Sequence, residues 1–188
     1  KTFKGRVNGD DPDNMTAKFY GNGNVKPVKK TESHGTHVAG IIAAERNNGK
    51  GVNGVANNVK IMAVRTVPNG DEYDKDVALA IHYAVDNGAK VINGSFGKSY
   101  SPHSAMVRDA IKYASDKDVV FVHTAGNDSN NVDVKPNFPD DNVNGNEISN
   151  TYIRVGALEP KYGSNIVANF SNYGKQNVDV FAPGAKIY

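Results

Sequence analysis

The sequence predicts an α/β fold: α/β/α in three layers, with a mostly parallel central sheet covered by helices on both sides. Three observations carry this. Short apolar runs alternate with helical spacing at least twice, at the interval of strand–helix–strand crossovers. The middle runs are apolar without alternation, as strands buried on both faces are. Polar, glycine-rich segments follow them, and folds of this class keep their chemistry beyond the carboxyl ends of the strands.

In chain order, residues 1–33 show no sustained period and carry Asn8-Gly9, Asp11-Pro12 and Gly21-Asn22-Gly23-Asn24, all turn chemistry. They are expected to form an irregular surface segment or insertion ahead of a domain spanning 34–188. Val38, Ile41 and Ile42, with Ala39 and Ala43, make one helical face that ends in the glycines and asparagines of 47–54. Val59–Val64 reads as a strand and Pro68-Asn69-Gly70-Asp71 as a turn. Asp74 and Asp76 cap a helix whose buried face is Val77, Ala80, Ile81, Ala84 and Val85, stopped by Gly88. Val91-Ile92 is a brief strand. Met106, Ala110, Ile111 and Ala114 repeat the helical spacing, and Val119–Val122 is a continuous apolar strand. Thr151–Val155, Ile166–Ala168 and Val178–Phe181 are further strands.

Composition limits the function classes. The chain has 188 residues, enough for one domain with a full core. Net charge is +2, and the densest basic run, Val25-Lys26-Pro27-Val28-Lys29-Lys30, has no aromatic platform beside it, so it reads as a solvated loop and no nucleic-acid partner is expected. The absence of cysteine excludes disulfides and thiolate metal sites. No apolar run reaches the length of a membrane span. Lys1–Arg6 is neither a signal peptide nor an obvious native start, so the chain reads as a piece of a longer protein.

Four segments hold candidate chemistry. In Ser33-His34-Gly35-Thr36-His37-Val38-Ala39-Gly40, the histidines at i and i+3 could share a metal, but a metalloprotease helix sets them at i and i+4 with a glutamate between, and no third ligand lies nearby. His37, one turn before Ile41, reads as a packing residue. His34, at the helix start beside Gly35, is a candidate general base. Spacing alone leaves these alternatives open. Ala125-Gly126-Asn127-Asp128 closes a buried strand, either as a plain turn or with the Asn127 amide aimed at a developing oxyanion. Gly94-Ser95-Phe96-Gly97 lacks the G-x-S-x-G elbow of a serine nucleophile and reads as an extended edge that pairs with a peptide main chain. Asp10, Asp11 and Asp13 follow no apolar strand and read as a solvated loop.

Taken together, three segments resemble the subtilisin-like serine peptidases: residues 33–40 their histidine motif, Val91–Gly97 their substrate-binding segment, and Thr124–Asp128 their oxyanion segment. Gly51-Val52-Asn53-Gly54-Val55-Ala56, the Val59 run and Phe181-Ala182-Pro183-Gly184 extend the resemblance over residues 33–188. It implies a subtilisin-like fold and a serine endopeptidase that cleaves proteins or peptides through an acyl-enzyme, outside the cytoplasm: secreted, periplasmic or at the cell surface. His34 resembles the general base and acid, Asn127 the oxyanion donor, and His37 a structural histidine. Ser95, Phe96 and Gly97, with Ala125 and Gly126, resemble the substrate-binding walls. Gly70-Asp71-Glu72 aligns with the opposite edge, where Glu72 would favour basic side chains. The chemistry implied needs no cofactor and no catalytic metal; a structural calcium is implied only in the loop Asn47–Gly51, with Asn48 as side-chain donor and Lys50 opposing it.

The departures are as informative. The family's Asp-Ser/Thr-Gly and Gly-Thr-Ser-Met-Ala motifs do not occur in these 188 residues. The chain is therefore expected to be inactive alone, and to associate so as to cover open sheet edges. Gly94 stands where methionine is common, and His123-Thr124 where small residues are common. The alternative reading is a degenerate, non-catalytic relative that holds peptides without cutting them.

Overall fold

The computed structural model describes residues 11, 13, 14, 16, 21–27, 29–67 and 70–187. Asn8, Gly9, Asp10, Pro12, Val28, Pro68 and Asn69, on which sequence expectations fall, lie outside them. The described residues divide into two compact units, one of residues 21–65 and one that holds residues 66–187.

The first unit holds helix α1 (His34–Ala43). A helix leaves its last carbonyls without intrahelical partners, and here the returning chain supplies them: Gly54, Val55 and Ala56 donate to the carbonyls of Ala44, Ile41 and Ile42 at 3.0, 2.9 and 2.8 Å. Glycine is required at 54 because a Cβ there would lie 2.3 Å from the Ala44 nitrogen. Arg46 closes the loop, donating to the Gly54 carbonyl at 2.6 Å. Glu32 and Arg65 form an ion pair at 2.9 Å. The strand expected at Val59–Val64 is not formed. Val59, Ile61 and Met62 are exposed, because an apolar run becomes a strand only beside a neighbour that pairs with it, and among the described residues none does.

The second unit is built on a parallel sheet. Its strands are β1 (Val91–Gly94), β2 (Val120–Thr124), β5 (Tyr152–Leu158) and β6 (Val180–Pro183), in spatial order β1-β2-β5-β6 and all parallel. The expected parallel α/β class is thus present. Helices α2 (Asp74–Asp86) and α3 (Ser104–Asp116) pack against each other and onto one sheet face. That core gathers Val77, Ala78 and Ile81 of α2, Val107, Ala110, Ile111 and Ala114 of α3, and Phe121 and Tyr152 of the sheet. Burying each such large apolar side chain contributes about 1.5–3 kcal/mol. The opposite face, with Val122, Ile153 and Val155, is half-buried.

Asp74 does not cap α2 as expected. Tyr73 holds the cap position, and the Asp74 carboxylate accepts instead from Ser101 Oγ at 2.7 Å and the His103 amide at 2.9 Å. At the first helical position its charge still complements the helix dipole. The Ile166–Ala168 run is no full strand: a turn at Gly163 folds it back on β5, with Val167 bridging Leu158. Strands β3 (Asn142–Val143) and β4 (Asn146–Glu147) form a small hairpin around Asn144-Gly145, both at positive φ, as a two-residue hairpin turn requires.

Candidate active site

Strands β1 and β2 are neighbours in register, with Gly94 opposite His123, so the segments that leave their carboxyl ends emerge side by side. The first is Ser95-Phe96-Gly97, the second Ala125-Gly126-Asn127. The two meet at the side-chain amide of Asn137, since a Cβ on Gly97 or on Gly126 would lie 3.1 or 2.9 Å from its Nδ2.

The second segment is a tight turn. Ala125 is fully buried, and its amide donates to the Val155 carbonyl at 2.8 Å. Gly126 has φ of +102°, and a Cβ there would also strike Asn172 Nδ2 at 2.4 Å. Only glycine meets both conditions. The Ala125 carbonyl accepts from Asn137 Nδ2 at 3.1 Å and Asn172 Nδ2 at 2.8 Å. Asn127 is exposed, and its side-chain amide takes no hydrogen bond among the described residues. A cleft of about 350 Å³ opens beside the turn, lined among others by Ser99, Asp128, Lys135, Asn137 and Asn172.

The first segment is held from below by His123, which is 1% exposed. Its Nε2 lies 2.7 Å from the Phe96 carbonyl, and its Nδ1 lies 2.9 Å from the Tyr152 hydroxyl. Burial pushes the imidazole pKa down to about 3, and the Arg154 guanidinium pushes the same way. The ring is therefore neutral. A carbonyl only accepts, so Nε2 carries the proton and Nδ1 accepts from Tyr152. Tyr152 is also 2.9 Å from the Pro139 carbonyl, but that oxygen has Arg154 Nη2 as donor at 3.1 Å. The ring fills the space that Gly94 leaves: a Cβ on Gly94 would lie 2.8 Å from the Phe121 ring and 3.3 Å from His123. The two sequence departures, Gly94 and His123, are one packing solution.

Lys98 continues the same segment. Its amide and carbonyl pair with Phe138 at 3.0 and 2.8 Å. Its buried ammonium donates to the Glu72 carbonyl at 2.7 Å and meets Asp74 at 2.7 Å. Lys98 thus joins the Ser95–Gly97 edge to the Gly70–Glu72 wall. The expectation that Glu72 offers its charge to a substrate is corrected. Glu72 is 3% exposed, its Oε1 is buried without a partner, and burial raises its pKa. Asp71, which is exposed, carries the outward charge of this wall, and Gly70 is exposed beside it at φ of +140°.

In the other unit, His34 is the first residue of α1 and is exposed. His37 is exposed as well, which corrects its expected burial, since α1 holds no buried residue. In the Asn47–Gly51 loop, Asn48 Oδ1 accepts from the Lys50 amide at 2.9 Å and Asn48 Nδ2 donates to the Glu45 carboxylate at 3.4 Å. Among the described residues no cluster of His, Asp or Glu that could hold a metal occurs. Asp11 and Asp13 are exposed, and Asp13 meets His103 Nε2 at 2.6 Å.

The two segments stand out in the sequence and His123 only as an unexplained departure; Lys98, Asn137 and Asn172 do not stand out there. All four are polar residues buried by partners remote in sequence.

Comparison with known proteins places these features in a family. The chain matches the peptidase family described as the subtilase family over residues 2–188. It is 44% identical over 156 residues to a thermophilic serine proteinase of Bacillus sp. (strain AK1), covering 82% of this chain and 35% of that protein. It is 38% identical over 187 residues to a cell wall-associated protease of Bacillus subtilis (strain 168), covering 98% of this chain and 18% of that protein. Among solved structures, a psychrophilic subtilisin-like protease, Apa1, from the Antarctic psychrotroph Pseudoalteromonas sp. AS-11 superposes with a TM-score of 0.67 at 31% identity, covering 86% of this chain and 34% of the other. The chain therefore spans about a third or less of these relatives.

Proposed function

This chain belongs to the subtilase family, and on that premise we propose that the whole protein is a serine endopeptidase that hydrolyses peptide bonds through an acyl-enzyme. The supporting observation is the pair of segments that leave the adjacent strands β1 and β2 and converge on Asn137. Along the first, Phe96 and Lys98 turn their backbone groups toward His123 and Phe138. Alternation in an extended run then turns those of Ser95 and Gly97 the other way, to pair with a substrate main chain. Along the second, the unengaged Asn127 amide is the donor for the oxyanion of the tetrahedral intermediate. Losing such a donor costs about 2.7–4 kcal/mol, a figure measured in subtilisin, a member of this family.

In this reading His34 takes the proton from the serine hydroxyl and returns it to the leaving amine. These 188 residues contain no Gly-Thr-Ser-Met-Ala and no Asp-Ser/Thr-Gly. The proposal assigns the nucleophile and the triad aspartate to sequence outside them, and expects the isolated chain to be inactive. The substrate is a protein or extended peptide. The location proposed is secreted, periplasmic or at the cell surface; among the described residues no helix is long and apolar enough to cross a membrane.

A fluorophosphonate probe tests the reading. The full-length protein should be labelled on one serine and should cleave a denatured protein, while the isolated 188-residue chain should remain unlabelled. A full-length protein that binds peptides but neither labels nor cleaves would overturn it in favour of a non-catalytic relative.

A further inference from the structure

We propose that Asn172 is a positioning residue that sets the oxyanion turn, an inference that rests on the role given to Asn127 above. Asn172 is 1% exposed, and it brackets Asn127 on both sides. Before Asn127, its backbone amide donates to the Gly126 carbonyl at 2.8 Å and its side-chain Nδ2 donates to the Ala125 carbonyl at 2.8 Å. After Asn127, its Oδ1 accepts from the Asp128 amide at 3.0 Å and from the Asn130 amide at 2.9 Å.

The chemistry selects an amide. The two residues before Asn127 present carbonyls and those after it present N–H groups, so one side chain must donate at one end and accept twice at the other. A short side-chain amide does this, whereas a carboxylate cannot donate and a hydroxyl cannot span both ends. Asn172 is itself anchored to the sheet: Ser171 Oγ donates to the Asn172 carbonyl at 2.8 Å and accepts from the β5 amide of Ala157 at 2.9 Å. A turn that contains Gly126 at positive φ and an exposed Asn127 has little packing of its own. Ala125 is held by Val155 and Asn137, but it is Asn172 that ties the chain on both sides of Asn127 to one anchored residue. A donor displaced by about 1 Å loses on the order of 100-fold in rate.

A double-mutant cycle in the full-length protein tests this, with kcat and KM measured on a peptide amide for Asn172→Ala, Asn127→Ala and the pair. Asn172→Ala should lower kcat about 10- to 100-fold with KM within about twofold, and the Asp128 and Asn130 amides should exchange hydrogen faster. In the Asn127→Ala background the same change should lower kcat less than about twofold, since no donor remains to be positioned. If Asn172→Ala does not fold, the isosteric Asn172→Asp carries the test. It keeps both acceptor contacts, loses the donor to Ala125, and should show a kcat loss that likewise depends on Asn127. An unchanged kcat, or an equal loss with and without the Asn127 side chain, overturns the proposal in favour of a purely structural role. A wild-type protein with no turnover overturns instead the reading of Asn127, and the two failures are distinct.

Discussion

Lys98 Nζ lies 2.7 Å from Asp74 Oδ1, with 4% and 3% of the two side chains exposed. The pair joins the start of α2 to the segment that leaves β1, and the same ammonium holds the Glu72 carbonyl. Both sides of the proposed substrate groove therefore depend on one buried cation.

Lys98→Met should destabilise the full-length protein by about 3–5 kcal/mol, because it leaves the Asp74 carboxylate buried without its counter-ion. Urea unfolding of the variant checks this. Replacing Lys98 and Asp74 together with apolar residues of similar size should cost less than the single change, as removing both charges leaves no uncompensated ion.

His123 makes stability fall on the acid side. Its folded pKa of about 3 lies below the ordinary 6.5. The unfolded chain thus binds a proton from pH 6.5 downward that the folded chain refuses until about pH 3. The contribution is complete above pH 6.5 and is lost as pH falls toward 3. Melting temperatures measured across this window should decline for the wild type and decline less steeply for His123→Gln, compared at equal ionic strength.

Asp141 acts in the opposite direction. Burial pushes its pKa up to about 6 from the ordinary 3.8, with the Glu147 carboxylate adding to the rise and Arg154 opposing it. The folded state holds the protonated form better, so this term favours folding below pH 3.8 and is lost as pH rises through 6. Asp141→Asn should therefore raise stability at pH 7–8 by on the order of 2 kcal/mol and change it little near pH 4. Denaturant midpoints at both pH values test this.

Gly126→Ala should damage both folding and turnover. The new Cβ would sit 2.4 Å from Asn172 Nδ2, on a backbone with φ of +102° that L side chains rarely adopt. A loss of more than about 2 kcal/mol is expected on backbone strain and overpacking together. The hydrogen exchange of the Asp128 and Asn130 amides should rise with it.

The fold was legible where spacing carried it. Val77, Ile81 and Ala84, then Ala110, Ile111 and Ala114, marked two helices, and Val119–Val122 marked the central strand. The Val59–Val64 run had the same apolar signature and yet forms no strand, because pairing depends on a neighbour and not on hydropathy. Of the candidate site, short motifs drew attention to His34, Asn127 and the Ser95–Gly97 edge, whose roles remain proposals. The residues that hold the site together were not legible. Hydropathy reads Lys98, His123, Arg154 and Asn172 as surface residues, and their burial comes from partners such as Ala125, 47 positions before Asn172. Gly94 and His123 were visible as separate oddities; only their contact explains them jointly.

The central claim is that His34 is the general base of a serine endopeptidase, and kcat of the full-length His34→Ala variant on a peptide amide tests it most directly. The account predicts a loss of roughly 10⁴-fold or more with KM little changed and the melting temperature kept, as removal of a triad member produces. A variant that cleaves at the wild-type rate would contradict it.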